Sequence, residues 1–293
     1  MNIRTVLAQV GQQEDLNFLL TNRIPRRLAT QVMGRLAKVR QPVVRDLSIG
    51  LWRLFADPNL DEAAKPSFES LNDCFVRKLK PDARIVDPDP TLMTSPCDAI
   101  VGASGKIDGT NLIQAKGFPY TLHDLLADPE LESLYRDGRY VTLRLTSSMY
   151  HRFHAPYDCD VTHVNYISGD TWNTNPIAIK RVEKLFCKNE RAIIQTQLRT
   201  ESAAHRITLV PVASILVASI RLHFLNVPFH LSYDGPRSIP VSASYRKGDE
   251  MGWFELGSTI VVFAPDGFSL FPGIEPGTLI KMGQPLLRLP AGQ

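Results

Sequence analysis

Two textures divide the chain. Over residues 14–56, apolar residues recur at three- and four-residue intervals: Leu28, Val32, Leu36 and Val39 after Pro25, then Val44, Leu47, Leu51, Leu54 and Phe55 after Pro42. That spacing predicts helices. Each proline fits a first helical turn, where the missing N–H has no helical partner to lose. Arginines occupy the opposite faces. On periodicity alone these are helices packed on a core with a solvated basic face. The alternative is an amphipathic segment lying on an anionic bilayer. "DPNLDEAAKP" (57–66) is a polar connector, and "SFESLNDCFVRKL" predicts another helix, capped by Ser67 or Ser70.

From about residue 91 the pattern shortens. "AIVGAS", "YVTLRLT", "DVTHVNYI", "RAIIQTQLR", "RITLVPVASILVASI", "STIVVFAP" and "LLRLP" are rich in Val, Ile, Thr and Tyr, with Gly, Pro, Asn and Asp between them. These predict strands. "TLHDLLADPELESLY" is the clearest helical interruption. The expected fold is α+β: N-terminal amphipathic helices, then a mostly antiparallel β-sandwich or barrel-like domain with inserted helices.

Composition narrows the class. The chain has 293 residues, 44% hydrophobic and 22% charged, which suits a sizeable core and argues against disorder. Cys74, Cys97, Cys159 and Cys187 form no CxxC pair, so neither a zinc knuckle nor a disulfide framework is expected. No run of 18 apolar residues occurs, so no membrane-spanning helix is expected. Net charge is +3, but residues 1–50 hold eight Lys/Arg against three acids, a local +5. That imbalance gives the basic helices a reason to meet an anionic surface.

Three stretches concentrate chemistry. "TSPCDAIVG" places Asp98 at the head of an apolar run, where an aspartate commonly serves a turn. "SSMYHRFHAPYD" sets His151 and His154 three apart; with no third ligand nearby, a metal is not expected. "EMGWFELGSTIVVFAP" (250–265) interrupts a strand pattern with Gly257, Ser258 and Thr259. A glycine there commonly marks a bulge. Nucleophilic use of Ser258 would need a base, which His154 oriented by Asp98 could supply, although no GxSxG elbow surrounds it. The C-terminal "PGTLIKMGQPLLRL" has a carrier-like hairpin texture around Lys281, whose simplest reading is a solvated strand end.

Together these stretches resemble the phosphatidylserine decarboxylases, a pyruvoyl-dependent family. The likeness runs through "LNDCFVRKL" (71–79), "SPCDAIV" (95–101), "IQAKGFPYTLHDLL" (113–126) and "YHRFHAP" (150–156). It continues through "ISGDTWNTNP" (167–176), "LFCKNERA" (185–192), "KGDEMGWFELGSTIVVFAP" (247–265) and "IKMGQPL" (280–286). LGST is the family's self-cleavage motif.

The resemblance implies that Ser258 attacks the Gly257 carbonyl and cuts the chain. Ser258 would then become an N-terminal pyruvoyl group, the covalent cofactor, with no metal. A β chain of 1–257 and an α chain of 258–293 would stay together as a heterodimer, with a homo-oligomer compatible. Asp98, His154 and Ser258 take the family's triad positions, Thr259 lies near the oxyanion, and His151 binds substrate or transfers a proton. Phosphatidylserine, held by a Schiff base, would lose carbon dioxide. Residues 1–66 become a membrane-docking segment and 67–293 the catalytic domain. The protein would be peripheral, on the cytoplasmic face of the cell membrane, with no nucleic-acid partner. Alternatives are a pyruvoyl decarboxylase of another amino-acid substrate and a serine hydrolase using Asp98, His154 and Ser258.

Overall fold

The computed structural model describes residues 14–115, 118–201, 204–215, 219–226, 229–230, 233–255 and 258–291. The helices are α1 (Glu14–Asn22), α2 (Arg26–Leu36), α3 (Pro42–Ala56), α4 (Leu71–Phe75), α5 (Leu122–Leu126), α6 (Pro129–Tyr135), α7 (Pro176–Arg181) and α8 (Leu185–Lys188). The first strands are β1 (Leu92–Thr94), β2 (Ala99–Lys106), β3 (Asn111–Ala115), β4 (Phe118–Thr121), β5 (Arg139–Leu145), β6 (Arg152–His154), β7 (Cys159–Ile167), β8 (Arg191–Leu198) and β9 (Arg206–Ala213). They are followed by β10 (Ser219–Leu222), β11 (Phe229–His230), β12 (Ser238–Tyr245), β13 (Glu250–Phe254), β14 (Ser258–Ala264), β15 (Ser269–Leu270), β16 (Leu279–Ile280) and β17 (Pro285–Arg288).

An eight-stranded sheet, ordered β12-β7-β8-β9-β14-β5-β2-β16, forms the centre, with antiparallel pairing throughout. Its alternation feeds two cores. Ile260, Val262 and Ala264 of β14 join one, and Val261 and Phe263 join the other. The first core is shared with the four-stranded sheet β11-β10-β13-β6, through Phe153, Ile220, Phe229, Met251 and Phe254. It also takes Met93, Leu286 and Leu287 from the three-stranded sheet β1-β17-β15. The second core lies under α5–α8 and the β3–β4 hairpin. The result is α+β, a sandwich on one face of the large sheet and a helical layer on the other.

Local chemistry explains most boundaries. Ser70 caps α4 by accepting from Asp73 N (3.1 Å). The helix runs only five residues, shorter than "SFESLNDCFVRKL" suggests. Thr121 and Asp124 form a capping box on α5. The expected single helix over "TLHDLLADPELESLY" is two, because Ala127 turns left-handed and Pro129 opens α6. Pro42 occupies the first turn of α3, whereas Pro25 sits one step earlier, as the cap of α2. "RITLVPVASILVASI" divides into β9 and β10, which belong to different sheets. Buried Arg191 ties the helical layer together: it donates to the carbonyls of Leu125 (2.7 Å), Cys187 (2.6 Å), Asn189 (3.1 Å) and Asp124 (3.0 Å).

The N-terminal helices overturn the packed-core reading of their periodicity. Val43, Leu47, Leu51 and Phe55 of α3 face outward, and α3 has no buried residue. Several cations instead turn toward the domain. Arg26 pairs with Asp170 and lies 3.7 Å over the Trp172 ring, and Lys38 pairs with Glu255 at 2.8 Å.

Gly252 in β13 sits where a Cβ would lie 2.1 Å from the Arg221 carbonyl and 2.8 Å from Phe153 Cζ. Gly252→Ala must therefore spread β10 from β13. The expected cost is about 1–3 kcal/mol, as for other overpacked interiors. Thermal melting should show a drop of roughly 3–10 °C in the midpoint; an unchanged midpoint contradicts the close approach.

Candidate active site

The interruption at Leu256–Thr259 coincides with a change of sheet. β13 ends in the four-stranded sheet, and β14 begins in the middle of the eight-stranded one. Leu256 and the expected cleavage residue Gly257 lie outside the described residues. Ser258 is the first residue of β14, opposite Leu145 on β5 and Ala213 on β9. It is fully buried, and neither its Oγ nor Thr259 Oγ1 has a hydrogen-bond partner among the described residues. A buried hydroxyl without a partner is costly and needs a chemical explanation.

Ser258 lines a cavity of about 320 Å³ at the end of the sheet, together with Arg144, Thr146, Asn173, Asn175 and Ser214. Among the described residues no carboxylate lines it, and Arg144 is its one charged side chain. The sequence signal for Arg144 was a cation inside the strand run "YVTLRLT". The 173–175 wall is fixed by α1: Asn22 Oδ1 accepts from Asn173 N (3.1 Å), and Asn175 Nδ2 donates to Asn17 Oδ1 (3.0 Å). Asn175 also caps α7. Helix α1 and the Ser258 cavity are therefore built against each other.

His154 belongs to a second cavity, of about 230 Å³, lined by Arg84, Tyr150, Glu250 and Met282 among others. Its Nδ1 lies 2.8 Å from the Gly248 carbonyl, which can only accept, so Nδ1 carries the proton. Nε2 is then bare and accepts from the Tyr150 hydroxyl at 2.9 Å. Burial pulls the His154 pKa below the ordinary imidazole value.

Asp98 is buried beside this cavity, yet its carboxylate turns to Arg84. Arg84 Nε donates at 2.8 Å, Nη2 makes a second short contact, and Met282 N donates at 2.9 Å. Asp98 makes no hydrogen bond to His154. Its loop does reach the histidine's backbone, since His154 N donates to Pro96 O at 2.8 Å. Thus the three expected triad residues fall in two places: Asp98 and His154 near one cavity, Ser258 at another. Tyr150, Arg84 and Gly248 are neighbours that sequence reasoning missed. Only Tyr150, next to the histidine pair, offered a local signal.

His151 is placed differently. It is fully buried, and its carbonyl accepts from Phe254 N at 3.0 Å, on the strand that leads toward Ser258. Nδ1 donates to the Met149 carbonyl (2.9 Å), while Nε2 has no partner among the described residues. The ring packs 4.0 Å from Phe75, which in turn lies 5.8 Å from Trp52 of α3. Burial, helped by the Arg77 charge, lowers the His151 pKa to about 3. Lys281 pairs with Glu62 at 3.6 Å beside the Arg84 cluster, and its side chain is half-exposed.

Comparison with known proteins bears on the family of the chain. A family model described as phosphatidylserine decarboxylase matches residues 71–288. A phosphatidylserine decarboxylase proenzyme of Saccharophagus degradans is 33% identical over 287 residues, covering 94% of this chain and 98% of its own length. One from Dickeya dadantii is 34% identical over 280 residues, covering 92% and 91%. One from Brevibacillus brevis is 30% identical over 274 residues, covering 91% and 95%. A family match over residues 71–288, the segment that contains Ser258, and relatives of 30–34% identity aligned over nine-tenths or more of their length show that this protein belongs to the phosphatidylserine decarboxylase family.

Proposed function

We propose that this protein cuts itself between Gly257 and Ser258 and then decarboxylates phosphatidylserine to phosphatidylethanolamine. The observation that carries the reading is the buried Ser258 hydroxyl, without a partner among the described residues, opening a central strand at the edge of a cavity. In the first reaction Ser258 Oγ adds to the Gly257 carbonyl carbon and the peptide nitrogen leaves, giving an ester. Loss of the Ser258 α-proton expels the Gly257 carboxylate. The resulting dehydroalanine tautomerises and is hydrolysed, releasing ammonia and leaving a ketone at the new N-terminus. The orphaned hydroxyl and the room beside it fit such a group. Once formed, the pyruvoyl carbonyl supplies an electron sink for the pair left behind when carbon dioxide departs.

The chain's own residues hold and move protons. His154 is the proposed base of the cut: the Gly248 contact fixes its tautomer, and Nε2, which accepts from the Tyr150 hydroxyl in this structure, must exchange that partner for Ser258 Oγ when the chain is cut. Asp98, clamped by Arg84, anchors the loop on which the His154 backbone rests. One observation favours His151 as a second proton carrier: it borders the strand leading to Ser258, with Nε2 free. We assign His151 a proton relay: its Nε2 takes a proton from the substrate ammonium as the amine joins residue 258 and returns it to the α-carbon after carbon dioxide leaves.

The substrate explains the helices. A diacyl lipid leaves the bilayer at a cost of about 0.8 kcal/mol per CH₂, so the enzyme must come to the membrane. Leu47 is 71% and Phe55 63% exposed, and Arg27, Arg35 and Arg53 lie exposed among such residues. An apolar face fringed by cations suits insertion at an anionic lipid surface. No helix among the described residues is long and apolar enough to cross a membrane, and residues 1–66 act in this reading as a peripheral anchor. The other part, 67–293, carries the chemistry as two associated chains.

Ser258→Ala should remain one chain on a denaturing gel and release no carbon dioxide. Asp98→Ala and His154→Ala should also remain uncut. His151→Ala should be cut but decarboxylate about a hundredfold more slowly, the usual loss of a general acid. Efficient cutting of His154→Ala would transfer the base role to His151.

The cut should also resist acid. Burial lowers the His154 pKa below the ordinary 6.5 and takes His151 to about 3, so each ring takes up its second proton at a lower pH than a free imidazole does. The pH at which self-cleavage falls to half its rate, followed by gel, should therefore lie below 6.5. A rate already halved at pH 6.5 contradicts a buried base. On the membrane side, Leu47→Asp with Leu51→Asp should weaken sedimentation with anionic vesicles by about tenfold or more, from lost apolar burial. Cutting should be unaffected. Undiminished vesicle binding would remove α3 from the docking surface.

A further inference from the structure

Among the described residues Arg144 is the one charged side chain in a cavity that the mechanism above uses only at Ser258. It lies in the interior of β5, opposite Thr259 of β14 and Ile100 of β2. Its side chain makes neither a hydrogen bond nor an ion pair among the described residues, where Lys, Arg and His make eighteen ion pairs elsewhere. Burial disfavours its charge. A partly desolvated guanidinium facing a cavity with no carboxylate on its walls is short of an anion. Guanidinium is the side chain best shaped to grip phosphate oxygens with paired N–H donors. The neutral polar groups around it, Thr146, Asn173, Asn175 and Ser214, can complete the oxygens' hydrogen bonds.

We propose that Arg144 grips the phosphodiester of the lipid head group and so selects phosphoserine lipids over free serine. The inference rests on the decarboxylase reading of Ser258. A serine-headed lipid offers two anions, and the chemistry chooses between them. The carboxylate must shed its charge and leave as neutral carbon dioxide, so a cation on it would stabilise the ground state more than the transition state. The phosphodiester keeps its charge throughout. It is joined to the reacting α-carbon through one oxygen and one methylene, so it stays close while the amine is held at residue 258. A cation there binds ground and transition states alike, and its loss should appear in KM.

The test uses the full, self-processed protein and water-soluble dihexanoyl phosphatidylserine, with carbon dioxide release as the readout. Arg144→Gln should raise KM by about tenfold to a hundredfold, the worth of a charged hydrogen-bonded contact, with kcat nearly unchanged. Arg144→Lys, which keeps charge but loses the planar fork, should fall between. The preference for the lipid over free serine should shrink in Arg144→Gln. An unchanged KM in Arg144→Gln, or a fall in kcat alone, overturns the assignment. Should Arg144→Gln fail to be cut, Ser147→Glu answers in its place. Ser147 is exposed at the same cavity, and a carboxylate there would compete for Arg144 and raise KM; an unchanged KM again overturns the proposal. A wild-type protein that is cut but decarboxylates nothing overturns the reading of Ser258, and this inference with it.

Discussion

The structure depends on β14 lying between β5 and β9 in the middle of the large sheet. Every residue of that strand is buried, and its alternate side chains enter both cores. Beyond it, β16 pairs with β2, while β15 and β17 complete the small sheet with β1. A break in the backbone just before Ser258 would therefore sever one covalent bond and leave these ladders and both cores intact. This is why a chain can cut itself at that point and still hold its shape. It is also why the new N-terminus would be delivered to a fixed place rather than a flexible tail.

That place is where three elements meet. The end of the large sheet supplies Ser258 and Arg144, the 173–175 segment supplies a polar wall, and α1 pins that wall through Asn17 and Asn22. Lys38, between α2 and α3, pairs with Glu255 just before the cleavage segment. The helices that expose apolar side chains thus grip both flanks of the chemistry. Under the proposed docking of these helices on a membrane, lipid contact and catalysis share one scaffold.

The strands were legible because β-branched runs bounded by Gly, Pro and Asp have few other uses, and β2, β5, β7, β8, β14 and β17 follow them closely. The helical layer was less so. α7 and α8 are short and owe their form to the Asn175 cap and to Arg191, contacts between residues far apart in sequence. Periodicity located the N-terminal helices but could not say which face would be covered, because an apolar stripe suits a core and a bilayer equally. At the site, Ser258 stood out as a break in a strand. Its division from His154 into separate cavities did not, since the change of sheet at residues 255–258 is a matter of pairing. Asp98 was legible as an acid at the head of an apolar run, with a turn as its ordinary use; its burial and its partner Arg84 were not, because nothing in the intervening residues marks their meeting.

The central claim is that the peptide bond before Ser258 does not survive folding. Intact-mass spectrometry of freshly purified wild-type protein under denaturing conditions measures this directly. The account predicts two chains, the smaller beginning at residue 258 and carrying a ketone in place of the serine amine. A single species at the full 32.8 kDa would contradict it.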